Sequence, residues 1–161
     1  MKMRRADRVV TDPAEIRGIV SRCKVCRIAM HDEEGLYLIP LSFGARWEGD
    51  KLTLCFHSAG EGRKIAALRR DPRAAFEMDC DWQLTGQGDV GCSYSCLFSS
   101  VTGRGTVRFL EMAAEKTAAL QTIMRQQTGK EFCFTDKMVE NVTVFTLEAE
   151  ACTAKANRPR G

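Results

Sequence analysis

CKVCRIAMHDEEGLYLIPLSFGARW, residues 23–47, is the stretch on which the fold turns. Two extended runs flank Asp32-Glu33-Glu34-Gly35, which has the composition of a hairpin turn. The second run, Leu36 to Arg46, stops at another turn, Glu48-Gly49-Asp50, and LTLCFHS (52–58) resumes the extended pattern. Strands joined in succession by turns this short pair antiparallel.

Working outward, Asp12-Pro13-Ala14-Glu15 predicts a helix over 13–22, with Asp12 as cap, Pro13 in the first turn and Glu15 closing a capping box. Glu61 to Arg70 predicts a second helix, stopped by Asp71-Pro72. RAAFEMDCD (73–81) reads as a fourth strand, and Trp82 to Ser95 as a polar, glycine-rich loop. Cys96 to Leu110 is extended, with Gly103 and Gly105 spaced like a bulge. MAAEKTAALQTIMRQQTG (112–129) is a helix ending on Gly129, and VTVFTLEAEACTAK (142–155) is a last alternating strand. No βαβ alternation occurs, so a doubly wound sheet is excluded. The expectation is a mainly β chain, one domain over 1–161: six antiparallel strands in a barrel with peripheral helices.

Bulk properties narrow the function. The 24 basic and 21 acidic residues leave a net charge of +3, and no Lys/Arg cluster marks a nucleic-acid footprint. No apolar run approaches the ~20 residues of a membrane helix. The start, MKMRRADRVV, lacks the apolar core of a secretory signal, which predicts a cytoplasmic protein. Eight cysteines in that setting are expected to be reduced. Cys23-x-x-Cys26 with Cys92-x-x-x-Cys96 leaves zinc ligation open, but Val25 and Arg27-Ile28-Ala29 read as strand rather than as knuckle turns. Cys55 and Cys152 fall in alternating patterns and are expected to act as small buried apolar groups.

FHSAGEGRK, residues 56–64, carries the chemistry. A strand ends near His57, two glycines follow, and a helix begins. Gly60 and Gly62 permit a tight turn and close backbone approach. A helix N-terminus is an anion site before side chains are counted. Ser58 adds a hydroxyl, and Arg63 and Lys64 add positive charge. The glycine spacing of a nucleotide P-loop is missing. The same pattern is compatible with a plain strand-to-helix connection carrying exposed basic residues.

FHSAGEGRKIAALRRDPRAAFEMDCD (56–81), KVCRIAM (24–30), YLIPLSFG (37–44) and SSVTGRGTVRF (99–109), in that order, resemble the pyridoxamine 5′-phosphate oxidase-like family of FMN-binding proteins, and within it the nitroimidazole-resistance (Nim-type) flavoproteins. The resemblance implies a six-stranded antiparallel Greek-key split barrel forming a homodimer, with FMN in grooves at the subunit interface. It implies that Pro40, Leu41, Ser42 and Phe43 run along the flavin ring. Phe56, His57, Ser58 and Ala59 would line the ring and ribityl chain. Gly62 and Lys64 would hold the phosphate with Arg63 helping, and the partner subunit would supply Phe98, Ser99 and Ser100. The implied activity is an oxidoreductase passing electrons to a small planar acceptor such as a nitroaromatic, with a nicotinamide or protein reductant and His57 as candidate catalytic residue. The same scaffold also serves as a flavin- or haem-binding module without turnover, for which His31 and His57 are the only candidate histidine ligands. True pyridoxamine-phosphate oxidase activity is not expected, because only Arg158-Pro159-Arg160 offers basic residues for a second phosphate.

Overall fold

A computed structural model describes residues 5–159; Arg160 of the basic tail lies outside them. Eight strands form one antiparallel sheet: β1 (Val9–Val10), β2 (Val25–Asp32), β3 (Gly35–Ser42), β4 (Gly44–Glu48), β5 (Lys51–Ser58), β6 (Arg73–Thr85), β7 (Ser95–Leu110) and β8 (Thr143–Asn157). Four helices decorate it: α1 (Pro13–Arg22), α2 (Arg63–Arg70), α3 (Ala113–Thr128) and α4 (Asp136–Glu140). The order is β3-β2-β6-β7-β8-β5-β4, with β1 on β8.

The ends of that order, β3 and β4, are consecutive in sequence and separated only by Phe43. The sheet must therefore curl until its edges nearly meet, yet β3 pairs with β2 and β4 with β5, so the barrel stays split. The strand count is eight rather than the expected six. The run Leu36–Arg46 divides at Phe43, where the chain passes from one sheet edge to the other. The two-residue β1 is too short to show a period of its own.

Alternation along the strands builds the interior. Ile28, Leu54, Phe56, Phe76, Met78, Phe145 and Leu147 are buried and are capped by Ile19 and Val20 of α1 and by Ile65 and Leu68 of α2. The Phe56 ring stacks on Phe145 at 5.2 Å. A second cluster lies outside the barrel, where Cys55 and Val144 meet Leu120 and Ile123 of α3 and Val139 of α4. α3 approaches so closely that a Cβ on Gly44 would stand 2.5 Å from the Thr122 and Ile123 backbone.

Local signals explain most boundaries. Asp12 accepts a hydrogen bond from the Ala14 N–H at 3.0 Å, as a cap should. Glu15 turns to an ion pair with Arg158 in place of the expected capping box. Gly129 ends α3 in the left-handed region (φ 72°). The expected bulge appears as a register shift between Arg104 and Gly105 against β8. The expected loop 82–95 is shorter: β6 continues to Thr85 and β7 begins at Ser95. Strand pairing resumes at Gln83–Leu97 after a shift beyond Cys80, where Asp81 takes φ 61°. Among the described residues no helix is long and apolar enough to cross a membrane.

Candidate functional site

The strand–turn–helix at 56–64 forms as read, with α2 beginning at Arg63 rather than Glu61. Gly62 is its N-cap at φ 129°, ψ 169°, a conformation that side chains resist. It carries no side chain to cap the helix, and open space lies where a Cβ would stand. The first N–H groups of a helix have no intrahelical acceptor. Here the Ile65 and Ala66 N–H groups both donate to the Gly62 carbonyl at 3.0 Å, which leaves those of Arg63 and Lys64.

β5 delivers the flanking side chains to two faces. Phe56 points into the barrel and is fully buried, while His57 stands on the outer face and is exposed. Ser58 turns inward again, and its Oγ is buried without a hydrogen-bond partner among the described residues. An unpartnered buried hydroxyl costs roughly 1–3 kcal/mol, so it marks a position that a ligand oxygen would satisfy. Thr143, in register with Ser58 on β8, lies beside the turn: its Oγ1 is 3.7 Å from where a Gly60 Cβ would be. Sequence reasoning missed Thr143, because no local signal pairs β5 with β8.

The two basic residues of the turn separate. Arg63 forms ion pairs with Asp32 and with Glu34 (2.9 Å), and its guanidinium lies 4.5 Å from the Tyr37 ring centroid. The Arg63 hydrogen bond holds the Asp32 carboxyl below its ordinary range. Arg70 joins the same hairpin through Glu33 (3.5 Å) and the His31 carbonyl (3.4 Å). These arginines tie α2 to the β2–β3 turn. Lys64 projects about 100° round the helix from Arg63. It is half-buried and forms no ion pair among the described residues.

The other expected contacts divide in two groups. Phe43 sits beside Phe56, with ring centroids 6.4 Å apart, so the Pro40–Phe43 segment does meet the cradle strand. The Phe43 and Phe56 side chains are closed in the core, the Phe43 carbonyl accepts from Gln127 Nε2 at 2.8 Å, and Phe56 is paired with Phe145 in the β5–β8 ladder. Pro40 and Ser42 are exposed, Leu41 is half-buried and Ala59 is exposed. Phe98, Ser99 and Ser100 lie elsewhere. They pair with Asn157, Ala156 and Lys155 of β8, whereas Ser58 pairs with Thr143 at the other end. That is about 45 Å along the strand. Ser99 is also buried within its own chain. Among the described residues no group of three or more His, Cys, Asp or Glu side chains is arranged to hold a metal ion.

The model of the family described as pyridoxamine 5′-phosphate oxidase matches residues 12–156. The chain belongs to the pyridoxamine 5′-phosphate oxidase family. Among solved structures, it is similar to a Bacteroides thetaiotaomicron protein assigned provisionally to 5-nitroimidazole antibiotic resistance, with 34% identity over 93% of this chain and 90% of that one and a TM-score of 0.77. The fold of this family member also matches the flavocytochrome Anf3 of Azotobacter vinelandii (TM-score 0.77, 17% identity, 98% of this chain and 73% of that one). A FAD- and haem-binding protein of Mycobacterium smegmatis has the same fold (TM-score 0.75, 16% identity, 94% and 74%). A comparison with curated proteins gives no match.

Proposed function

We propose that the protein is an FMN-binding oxidoreductase that works as a homodimer and passes electrons to a small planar acceptor of the nitroaromatic class. The observation that carries this reading is the β5–α2 turn. An uncapped helix start at Gly62, a half-buried Lys64 and the orphaned Ser58 Oγ converge on one strand–turn–helix. A phosphate monoester carries about two negative charges at neutral pH. Backbone N–H groups at a helix start supply donors and half a positive charge, and Lys64 supplies a full one. Ser58 fits a phosphate or ribityl oxygen. Arg63 is spent on the acidic hairpin, so its contribution is to fix α2 in place.

When bound, the isoalloxazine supplies the electron-transfer chemistry. The chain's part is to hold and dry it. Pro40 and Ser42 present an exposed strand face to the ring, and the Leu41 backbone offers hydrogen bonds to its polar edge. His57, exposed beside the cradle, is placed to hold or release a proton at its ring nitrogens. Kinship with the nitroimidazole-resistance protein supports the acceptor class. Pyridoxamine-phosphate oxidation itself is disfavoured, because Arg158, the described arginine of the C-terminal tail, is engaged by Glu15.

The homodimer rests on the outer sheet face. Leu36 and Leu38 of β3 are 81% and 59% exposed. Beside them Ala29 and Ala75 floor a groove of about 390 Å³, rimmed by Arg73 and Arg104 against Glu150. Small residues on a flat sheet face, with both charge signs at the rim, suit a two-fold copy of the same surface. Such a copy would bring the Phe98–Ser100 strand of one protomer toward the cradle of the other. The test is the absorption spectrum of purified protein. The wild type is expected to retain a flavin spectrum and Lys64→Glu to lose it; a variant as yellow as its parent overturns the reading. With flavin retained, His57→Ala is expected to slow reduction of a nitroaromatic acceptor, and unchanged turnover would remove His57 from the chemistry.

A further inference from the structure

The eight cysteines have no part in the site above, and two of them are neighbours. Cys23 caps the C-terminal end of α1, and its N–H donates to the Ile19 carbonyl at 3.3 Å. Cys80, on β6, directs its Sγ to the same carbonyl at 3.8 Å. One carbonyl therefore joins the two cysteines, taking the Cys23 N–H and facing the Cys80 sulfur. Cys23 is 1% exposed, whereas Cys80 is reachable from solvent. The other fully buried cysteines lack such a partner: the ionic neighbours of Cys26 are Glu77 and Arg27, and that of Cys55 is Arg46.

A second pair runs alongside. Arg22 grips Asp81 through two hydrogen bonds of 3.1 and 2.7 Å, so residues 22 and 23 are matched to residues 81 and 80. The joint they span is unusual. Asp81 is the one non-glycine residue with positive φ among the described residues, and the β6–β7 register shifts there. Ser99 is in register with Cys80. Beyond the joint, β6 runs on to the exposed Trp82 and Leu84.

We propose that Cys23 and Cys80 form a reversible disulfide that staples the end of α1 to the β6 bulge. The oxidant is a hydroperoxide. Cys80, as thiolate, attacks the peroxide oxygen; an S–O bond forms, the O–O bond breaks, and the alcohol or water leaves. Cys23 then loses its proton and attacks the Cys80 sulfur, the S–S bond forms, and hydroxide departs as water. Two thiols are oxidised by two electrons and one peroxide is reduced. Burial and then Asp81 push the Cys80 thiol up and Arg22 only partly opposes them, so the thiolate is the minor species and oxidation is slow. Closing the Cβ separation to the roughly 3.8 Å that a disulfide requires is the motion that oxidation drives. The staple closes a long loop of chain, so the oxidised form is the more stable one. This inference is independent of the flavin reading.

The test oxidises the purified full-length protein with hydrogen peroxide, blocks remaining thiols with N-ethylmaleimide in denaturant, and maps non-reduced peptides by mass spectrometry. The expected result is a Cys23–Cys80 linkage, two fewer alkylated thiols and a higher Tm, all reversed by dithiothreitol. Cys80→Ser, a substitution at a half-exposed position that leaves the buried Cys23 in place, is expected to abolish the linkage and the Tm shift. Recovery of both thiols free, Cys80 oxidised without linkage, or Cys80 joined to another cysteine overturns the proposal.

Discussion

Replacing Ser58 by Ala separates the demands of folding from those of ligand binding, because the two should move in opposite directions. In the flavin-free chain the Ser58 Oγ is buried without a partner. Deleting such a hydroxyl recovers roughly 1–2 kcal/mol of desolvation, and the methyl left behind faces the barrel interior beside Phe56. For a chain of this size each kcal/mol moves Tm by about 2–4 °C. Flavin-free Ser58→Ala is therefore expected to melt roughly 2–8 °C above the wild type in a calorimetric scan. With FMN present the sign reverses. The variant loses one hydrogen bond to a charged or polar ligand oxygen, about 1.5–2.5 kcal/mol, which corresponds to roughly 10- to 100-fold weaker binding. Titration of flavin-free protein by fluorescence quenching reads that loss directly. A variant that melts below wild type without flavin, or that binds FMN equally well, refutes the assignment of Ser58 to the cradle.

Three further perturbations follow from named contacts. Arg63→Met breaks the ties to Asp32, whose side chain is 9% exposed, and to the solvent-exposed Glu34; FMN affinity is expected to change less than about threefold, and a loss as large as that of Lys64→Glu would return Arg63 to the phosphate. Gly44→Ala forces a methyl against the α3 backbone at 2.5 Å and is expected to cost about 1–3 kcal/mol, seen as a lower denaturant midpoint; an unchanged midpoint would mean that α3 does not pack as described. Asp81 is held down to about 2 chiefly by its hydrogen bonds from Arg22, with burial opposing and Ser99 assisting. A depressed carboxyl gives stability that is present above its unfolded pKa of about 3.9 and is lost as pH falls through about 2. The pair is nearly half exposed, so solvent screening limits this to about 1 kcal/mol. Asp81→Asn suits the positive φ and should flatten that part of the acid unfolding curve; a curve superimposable on wild type would show the pair to be energetically silent.

Local chemistry was readable where one segment decides its own shape. Asp12-Pro13 sets the start of α1, Gly129 ends α3, and Asp32–Gly35 turns the first hairpin, all near the expected positions. Gly105 also falls at the predicted bulge, because a Cβ there would stand 2.1 Å from the Glu148 carbonyl oxygen. Features decided by distant partners were not readable. The break at Phe43 follows from β3 and β4 belonging to opposite sheet edges. The continuation of β6 past Trp82 depends on Asp81 adopting positive φ beneath Arg22, 59 residues away. Arg63 looked like a phosphate ligand because the sequence shows its neighbours Gly62 and Lys64. The hairpin that claims it is more distant in the chain and shows no sign of the contact.

The same distinction governs the site as a whole. β8 is the spine on which both halves of the expected flavin groove are hung. The cradle joins it at Thr143–Val144, and the Phe98–Ser100 strand joins it at Lys155–Asn157. An extended strand is stiff, so no loop motion within one chain closes the roughly 45 Å of backbone between them. A ligand that needs both halves must take them from two chains. On the proposed reading, the Ser58–Lys64 turn would recognise the phosphate end of a flavin, and shielding of its ring would depend on assembly. On the same reading, the orphaned hydroxyl of Ser58 and the exposed leucines of β3 are contacts that a flavin and a second copy of the chain would complete.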